Sequence, residues 1–120
     1  MIKAKFFNNH SNKRTGFEIS GHAGYANHGE DIVCAAVSVL GYTALNALVE
    51  IAGLNKEDMQ VEIRETEGFM KVLLRDEIIE GNSSRDIQII LETLDVGIKT
   101  VIESYPEYIT IEYRGGGTRV

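Results

Sequence analysis

A long apolar segment constrains the fold of this chain more than any other feature. Segments in which apolar and polar residues alternate lie on either side of it. From Asp31 to Ile51 the apolar side chains recur with helical spacing, and small residues fill many of the other positions. A helix that is apolar nearly all round has to be covered on more than one side. We predict that a sheet covers one side and that a second helix or a second subunit covers the other. Gly53 is the predicted stop signal.

Alternating apolar and polar residues predict five strands around this helix. The first two strands precede it, at residues 2–7 and 17–20, and pair as a hairpin. Two more strands follow it, at residues 60–64 and 70–75, joined by a tight turn at Glu67 and Gly68. A last strand covers residues 109–114.

A second helical pattern lies between the fourth and fifth strands. Ser83 and Asp86 predict a capping box at its start, and Pro106 ends it. We expect its acidic residues, among them Asp95, to lie away from the apolar face. That face consists of Ile87, Ile90, Leu91, Leu94, Ile98, Val101 and Ile102. The order ββαββαβ predicts a two-layer α+β domain, in which two helices pack on one face of a mostly antiparallel five-stranded sheet.

Length, charge and cysteine content limit the domain organisation and the partners. We predict one domain over residues 1–114 and a flexible tail over residues 115–120, which starts with three glycines. A net charge of −6 argues against direct nucleic-acid binding and favours a basic protein partner. The first residues lack a secretory signal, and polar residues interrupt the apolar segment, so we expect a cytoplasmic protein with no membrane span. A single cysteine agrees with a reducing compartment.

Cys34 is that single cysteine, and its position suits a catalytic thiol. With Asp31 as N-cap, Cys34 is the third helical residue, where unpaired backbone N–H groups favour a thiolate. His22 ends the second strand, across the loop that leads into this helix, so it can approach Cys34 as general base and then general acid. A lone cysteine in an apolar helix is also commonly an inert core residue, and the residues alone leave both interpretations open.

Three further residues have alternative roles at this site. Asp31 either caps the helix or orients His22, and its two oxygens allow both. Ser38 is one helical turn after Cys34, where it either lines the site or bonds back to the Cys34 carbonyl. His28 is a rival imidazole, but it lies in a loop, which is a poor platform for a catalytic base.

The glycine-rich loop between the two catalytic candidates predicts a lid that orders over a bound peptide, with a plain surface loop as the alternative. Gly21 precedes the histidine, and the loop comprises Ala23, Gly24, Tyr25, Ala26, Asn27, His28, Gly29 and Glu30. The phosphate-binding glycine pattern is absent from this loop. Two histidines, an aspartate and a cysteine could also hold a metal, but the ligand spacings typical of zinc sites are missing, so we predict no metal and no cofactor.

The segment from Gly21 to Ser38 resembles the ribosomal-processing cysteine proteases of the Prp family. It reads G-H-A-G-Y-A and then G-E-D-I-V-C-A-A-V-S, a pair of motifs that is specific at this spacing. The resemblance implies that His22 and Cys34 are the catalytic pair of a homodimeric cysteine endopeptidase with the same order of elements. It also implies a substrate: a basic protein of the bacterial large ribosomal subunit, from which a short N-terminal extension is cut after two aromatic residues.

Two other functions stay open. A thioesterase or deacylase could use the same two side chains, but only a protease would cut an internal peptide bond. A non-enzymatic module that binds a ribosomal protein or an assembly factor would have a buried Cys34 that reacts slowly with thiol probes.

Overall fold

The chain folds into one five-stranded sheet with helices on one face. The structure is a computed structural model that describes residues 1–21 and 28–115, with the side chains of residues 28–31 outside the description. The strands are β1 (Ile2–Asn8), β2 (Arg14–Ser20), β3 (Met59–Arg64), β4 (Phe69–Leu74) and β5 (Ile109–Gly115). The helices are α1 (His28–Glu50), the short α2 (Asp76–Ile79) and α3 (Ser84–Ser104). The predicted α+β class is confirmed, and α2 is an addition that the sequence did not predict.

The strand order in the sheet is β3-β4-β2-β1-β5. Three of the four pairings are antiparallel, and only β1 and β5 run parallel. Across the face without helices, Lys5 pairs with Glu18, and Glu18 pairs with Lys71. Both lysine ammonium groups lie within 4 Å of the Glu18 carboxylate, at 3.6 and 3.8 Å. These three side chains are partly exposed, and the polar row marks the sheet face that carries no helix.

The core lies between the other face of the sheet and the two long helices. Val33, Val37 and Leu48 of α1 are fully buried, and so are Ile87, Leu91 and Ile98 of α3. The helices approach each other closely, because a Cβ added at Gly97 of α3 would lie 2.9 Å from the Leu40 side chain of α1. The predicted cover of α1 by a sheet and a second helix is therefore confirmed.

Asp95 is buried, although the helical pattern predicted that it lies away from the core. Its side chain is only 4% exposed and accepts a 2.5 Å hydrogen bond from Arg14 in β2. The Tyr113 hydroxyl of β5 donates a 2.8 Å hydrogen bond to the same carboxylate. A carboxylate tolerates burial when a cation and a hydroxyl satisfy it, so this network joins α3 to two strands. The negative charge of Asp95 also raises the pKa of Lys99, one helical turn away.

The predicted capping box of α3 is absent, and the predicted tail begins one residue too early. Ser83 precedes α3 as predicted, but its hydroxyl donates to the Ala52 carbonyl at 2.9 Å and makes no cap hydrogen bond. Because the hydroxyl already has this tertiary partner, the capping box does not form. Gly115, placed in the tail by the sequence pattern, pairs with Asn8 as the last residue of β5. The rest of the predicted tail, residues 116–120, lies outside the described residues.

The apolar part of α1 also has the length and composition of a membrane span, over Ile32–Glu50 with a mean hydropathy of 2.0. The expectation that its polar residues exclude a span is therefore not supported by composition alone. Its inner side packs against the sheet through Val33, Val37 and Leu48. In all, 28% of the stretch is buried inside the protein.

Candidate active site

Gly21 fixes the end of β2, directly before the predicted catalytic histidine. Its φ angle is +99°, in the left-handed region that favours glycine. A Cβ at this position would lie only 2.3 Å from the backbone oxygen of Met1. The backbone at the end of β2 can therefore adopt this conformation only with glycine at position 21.

Helix α1 begins earlier than the sequence predicted. It starts at His28, so Asp31 is its fourth residue and Cys34 its seventh. The residues from His28 to Asp31 contain no proline, so nothing stops the helix from extending through them. The prediction that Asp31 is the N-cap is therefore wrong, and so is the prediction that Cys34 lies in the first turn.

This earlier start removes one predicted means of activating the thiol. The field of a helix terminus falls off within its first turn, and Cys34 lies in the second. The backbone N–H groups without helical partners also lie about one turn before it. A catalytic Cys34 would therefore need groups other than its own helix turn to activate the thiol and to stabilise an oxyanion.

Cys34 is a free, half-buried thiol that packs against the hydrophobic core. It lies on the flank of α1 that faces away from α3. Tyr42, two turns later on this flank, donates a 3.1 Å hydrogen bond to Glu65 in the turn between β3 and β4. Burial and the Glu65 carboxylate both raise the pKa of the Tyr42 phenol. Partial exposure leaves the sulfur within reach of a substrate.

Ser38 is an exposed residue between Cys34 and Tyr42 on this flank. The sequence predicted its place one turn after Cys34, and a position on the same surface is consistent with lining the site. Neither Tyr42 nor Glu65 was predicted from the sequence. The spacing of eight residues between Cys34 and Tyr42 would have indicated a shared helix face, but the contact with Glu65 depends on the tertiary fold.

The other predicted site residues are outside what the structure describes. His22 and the loop residues Ala23, Gly24, Tyr25, Ala26 and Asn27 lie outside the described residues. His28, Gly29, Glu30 and Asp31 have a described helical backbone, but their side chains are outside the description. The catalytic pair, the lid and the role of Asp31 therefore stay predictions.

Comparisons with known proteins identify the family. The family model described as cysteine protease Prp matches residues 1–110 of the chain. This chain belongs to the Prp family of cysteine proteases. The Prp of Bacillus subtilis strain 168, a ribosomal processing cysteine protease, is 28% identical over 111 residues, which cover 92% of this chain and 96% of that protein.

Two solved Prp structures share the fold. The S. aureus ribosomal processing protease Prp in complex with a substrate peptide has a TM-score of 0.77 and 28% identity, covering 95% of this chain and 100% of that one. The same protease with a covalently linked product peptide has a TM-score of 0.74 and 30% identity, with the same coverage. The prediction of a cysteine protease is confirmed.

Within the described part of the chain, which omits residues 22–27 and 116–120 and the side chains of 28–31, no group of three or more metal-binding side chains occurs. The metal site considered from the sequence would need Cys34 and three side chains outside this description.

Proposed function

We propose that this Prp-family protease cleaves peptide bonds with Cys34 as nucleophile and His22 as general base and acid. His22 takes the thiol proton while the sulfur attacks the peptide carbonyl carbon. The C–N bond then breaks, and His22 gives the proton to the leaving amine. Water, deprotonated by His22, attacks the thioester, and the thiolate leaves to regenerate the enzyme.

The observation that carries this proposal is the half-exposed Cys34 in a chain that matches the Prp family model over residues 1–110. A relative with a covalently linked product peptide supports a covalent intermediate of this kind. Gly21 supports this assignment of His22, because only glycine adopts the backbone conformation at the end of β2 without strain and without a clash with Met1. Asp31 lies one turn before Cys34 on α1, a position from which it would orient His22.

We assign two further roles around the pair. The sequence placed the lid at residues 23–30, but His28, Gly29 and Glu30 lie in α1. The residues from Ala23 to Asn27 act as the lid, and Tyr25, the one large aromatic side chain among them, contacts the peptide. The lid backbone at Gly24 and the N–H of Gly29 in the first turn of α1 are the source of N–H donors for the oxyanion, since the N–H of Cys34 lies in the second turn of α1.

The proposed substrate is a large-subunit ribosomal protein with a short N-terminal extension. Ribosomal proteins are basic because they bind RNA, and the net charge of −6 favours encounter with a basic chain. The relatives carry the name ribosomal processing cysteine protease, which supports the same substrate class. Since ribosomal proteins are made in the cytoplasm, we place the enzyme there, with no role in binding nucleic acid or membrane.

We also propose that the enzyme is a homodimer joined through the outer side of its helices. Four aliphatic side chains there are at least half exposed: Val39 (64%) on α1, Ile51 (68%) directly after the last residue of α1, and Ile89 (50%) and Val96 (61%) on α3. A second copy would cover this apolar surface, as obligate interfaces do. Sedimentation of Val39→Glu combined with Val96→Glu is expected to show a monomer, whereas Lys3→Glu with Thr110→Glu, on the open sheet face, stays dimeric. A monomeric wild-type protein at micromolar concentration would overturn the dimer.

A substrate panel tests the protease chemistry against the thioesterase alternative. The purified enzyme is incubated with an extended ribosomal protein, an internal peptide of the same sequence and a short acyl thioester. We expect new peptide termini from the first two, which Cys34→Ala does not produce. Thioester hydrolysis without peptide cleavage would support the other thiol hydrolase, and no turnover with tight binding of the ribosomal protein would support a binding module.

A further inference from the structure

The outer strand of the sheet presents apolar side chains on the side that the helices cover elsewhere. Val61 of β3 pairs with Val72 of β4, and Ile63 pairs with Met70. Cross-strand partners share one face of a sheet, and Val72 and Met70 are buried beneath the helices. Val61 and Ile63 lie on this same face, yet they are 45% and 37% exposed. The helices that cover β4 therefore leave this face of β3 open.

The uncovered strand lies beside the flank of α1 that carries Cys34. Tyr42 on that flank reaches Glu65, at the end of β3. Leu45 and Val49 follow Tyr42 by three and seven residues, so they continue the same helix face, and Val49 is 44% exposed. We call Val61, Ile63, Leu45 and Val49 the β3 strip. It extends along α1 from Tyr42 away from Cys34.

The edge of β3 can also bind backbone. In the described part of the chain, β3 pairs with β4 alone and forms one border of the sheet. An edge strand presents unpaired N–H and C=O groups, and an extended peptide can add to it as a further strand. Side chains of that peptide would then alternate between solvent and the β3 strip.

From this arrangement we propose that the β3 strip is a second binding site for the protein substrate, which takes an extended, basic segment distant from the cleaved bond. This inference rests on the proposed function, because the segment belongs to the same polypeptide that Cys34 cleaves. The segment adds to β3 as a strand and places aliphatic side chains against Val61 and Ile63. The active site and the strip then hold one chain at two points.

The charges around the strip identify the substrate class as basic. Residues 56–68 contain five carboxylates, Glu57, Asp58, Glu62, Glu65 and Glu67, against two cations, Lys56 and Arg64. Arg64 already pairs with Glu62 and Glu67. Lysine and arginine side chains on either side of an apolar segment would meet this excess of acid. A second copy of this acidic chain would not, so the substrate fits the strip better than a subunit contact does.

Steady-state cleavage of two substrates tests the second site. One is the extended ribosomal protein, and the other is a short peptide that contains only the residues around the cleaved bond. In Val61→Ser with Ile63→Ser we expect kcat/KM for the protein to fall about tenfold, mainly through KM. We expect the value for the short peptide to change less than twofold, because that peptide does not reach the strip. Gln60→Ser, on the same strand but the opposite face, is the matched control and should change neither value.

The outcomes separate this proposal from the proposed function. If the wild-type enzyme cleaves both substrates and the double variant cleaves the protein with an unchanged KM, the second site is wrong and the protease assignment stands. If the wild-type enzyme cleaves neither substrate, the proposed function fails and the second site fails with it. An equal fall in kcat/KM for both substrates would also contradict the second site, since it would show a general loss of activity and not a loss of substrate binding at the β3 strip. Unchanged thermal melting of the double variant, expected for two exposed side chains, checks the fold.

Discussion

At the scale of single residues, the proposed mechanism depends on which histidine acts as general base for Cys34. His22 follows Gly21, whose left-handed backbone is held against Met1 at the end of β2. His28 is the first residue of α1, six residues before Cys34. A base attached to the sheet end holds its geometry better than one at a helix end, where the chain frays.

His22→Ala is therefore expected to lower kcat by at least about 100-fold, the usual contribution of a general base. His28→Ala should retain most of the activity. Both are measured as steady-state rates on a cleavable peptide, with melting temperatures as the fold control. If His28→Ala were the inactive variant and His22→Ala the active one, the two roles would be exchanged.

The proposal that Asp31 orients His22 can be tested without the loss of a helix cap, because Asp31 lies inside α1. Asp31→Ala gains helix propensity and loses a favourable charge near the N-terminus, two effects of about 0.5 kcal/mol each with opposite sign. We expect a nearly unchanged melting temperature, a reduced kcat, and a smaller reduction in Asp31→Asn, which can still accept a hydrogen bond from an imidazole. Wild-type kcat in Asp31→Ala would eliminate the orienting role.

The family was predictable from the sequence, and Cys34 as its nucleophile stays a prediction, but the local environment of the thiol was not predictable. Two motifs between Gly21 and Ser38 are enough to indicate a Prp-like thiol protease. The helix start was misplaced by four residues, because Asp31 is a good N-cap and nothing in His28-Gly29-Glu30 visibly favours a helix over a loop. Asp95 was also misassigned, since its partners Arg14 and Tyr113 come from distant strands.

At the scale of elements, the proposed site depends on the end of β2 at Gly21, directly before the proposed catalytic His22. The strands and long helices were predictable from alternation and helical spacing, because each buries a continuous face. The short α2 was not, because its four residues are too few to show a helical period, and the exposed apolar face of β3 was not, because it depends on which strands α1 covers.

Gly21→Ala is expected to destabilise the protein by about 1–3 kcal/mol, because the left-handed backbone and the contact with the Met1 oxygen both disfavour a Cβ. It should also lower kcat by shifting residue 22. Gly53→Ala is the matched control: Gly53 has a φ of +76° but no atom within 4 Å of the added Cβ. Urea denaturation of both variants measures the difference. Equal stability of the two would show that the contact with Met1 has no role.

The segment from Ala23 to Asn27, which precedes α1, is expected to become protected from hydrogen exchange when substrate binds. The test uses Cys34→Ala with and without an uncleaved peptide, so that chemistry does not intervene. Tyr25→Ala should weaken peptide binding more than it lowers the melting temperature. Protection in the free protein that peptide leaves unchanged would rule out the lid.

At the scale of the whole molecule, the surface divides into regions that differ in polarity and charge. The open sheet face is polar, the outer helix face is apolar, and the border formed by β3 is apolar with an excess of acid. Composition alone indicated the acidic balance and hence a basic partner. It could not show that the exposed apolar residues fall on two separate surfaces, because that depends on the order of strands in the sheet.

Mass spectrometry of an extended ribosomal protein incubated with the enzyme tests the central claim most directly. We expect the wild-type enzyme to convert it to two products whose masses add to that of the substrate plus one water, and Cys34→Ala to produce neither. Cys34→Ser, with a hydroxyl of far higher pKa in place of the thiol, should be inactive as well. Cleavage by Cys34→Ala at a sizeable fraction of the wild-type rate would contradict the assignment of Cys34 as the nucleophile.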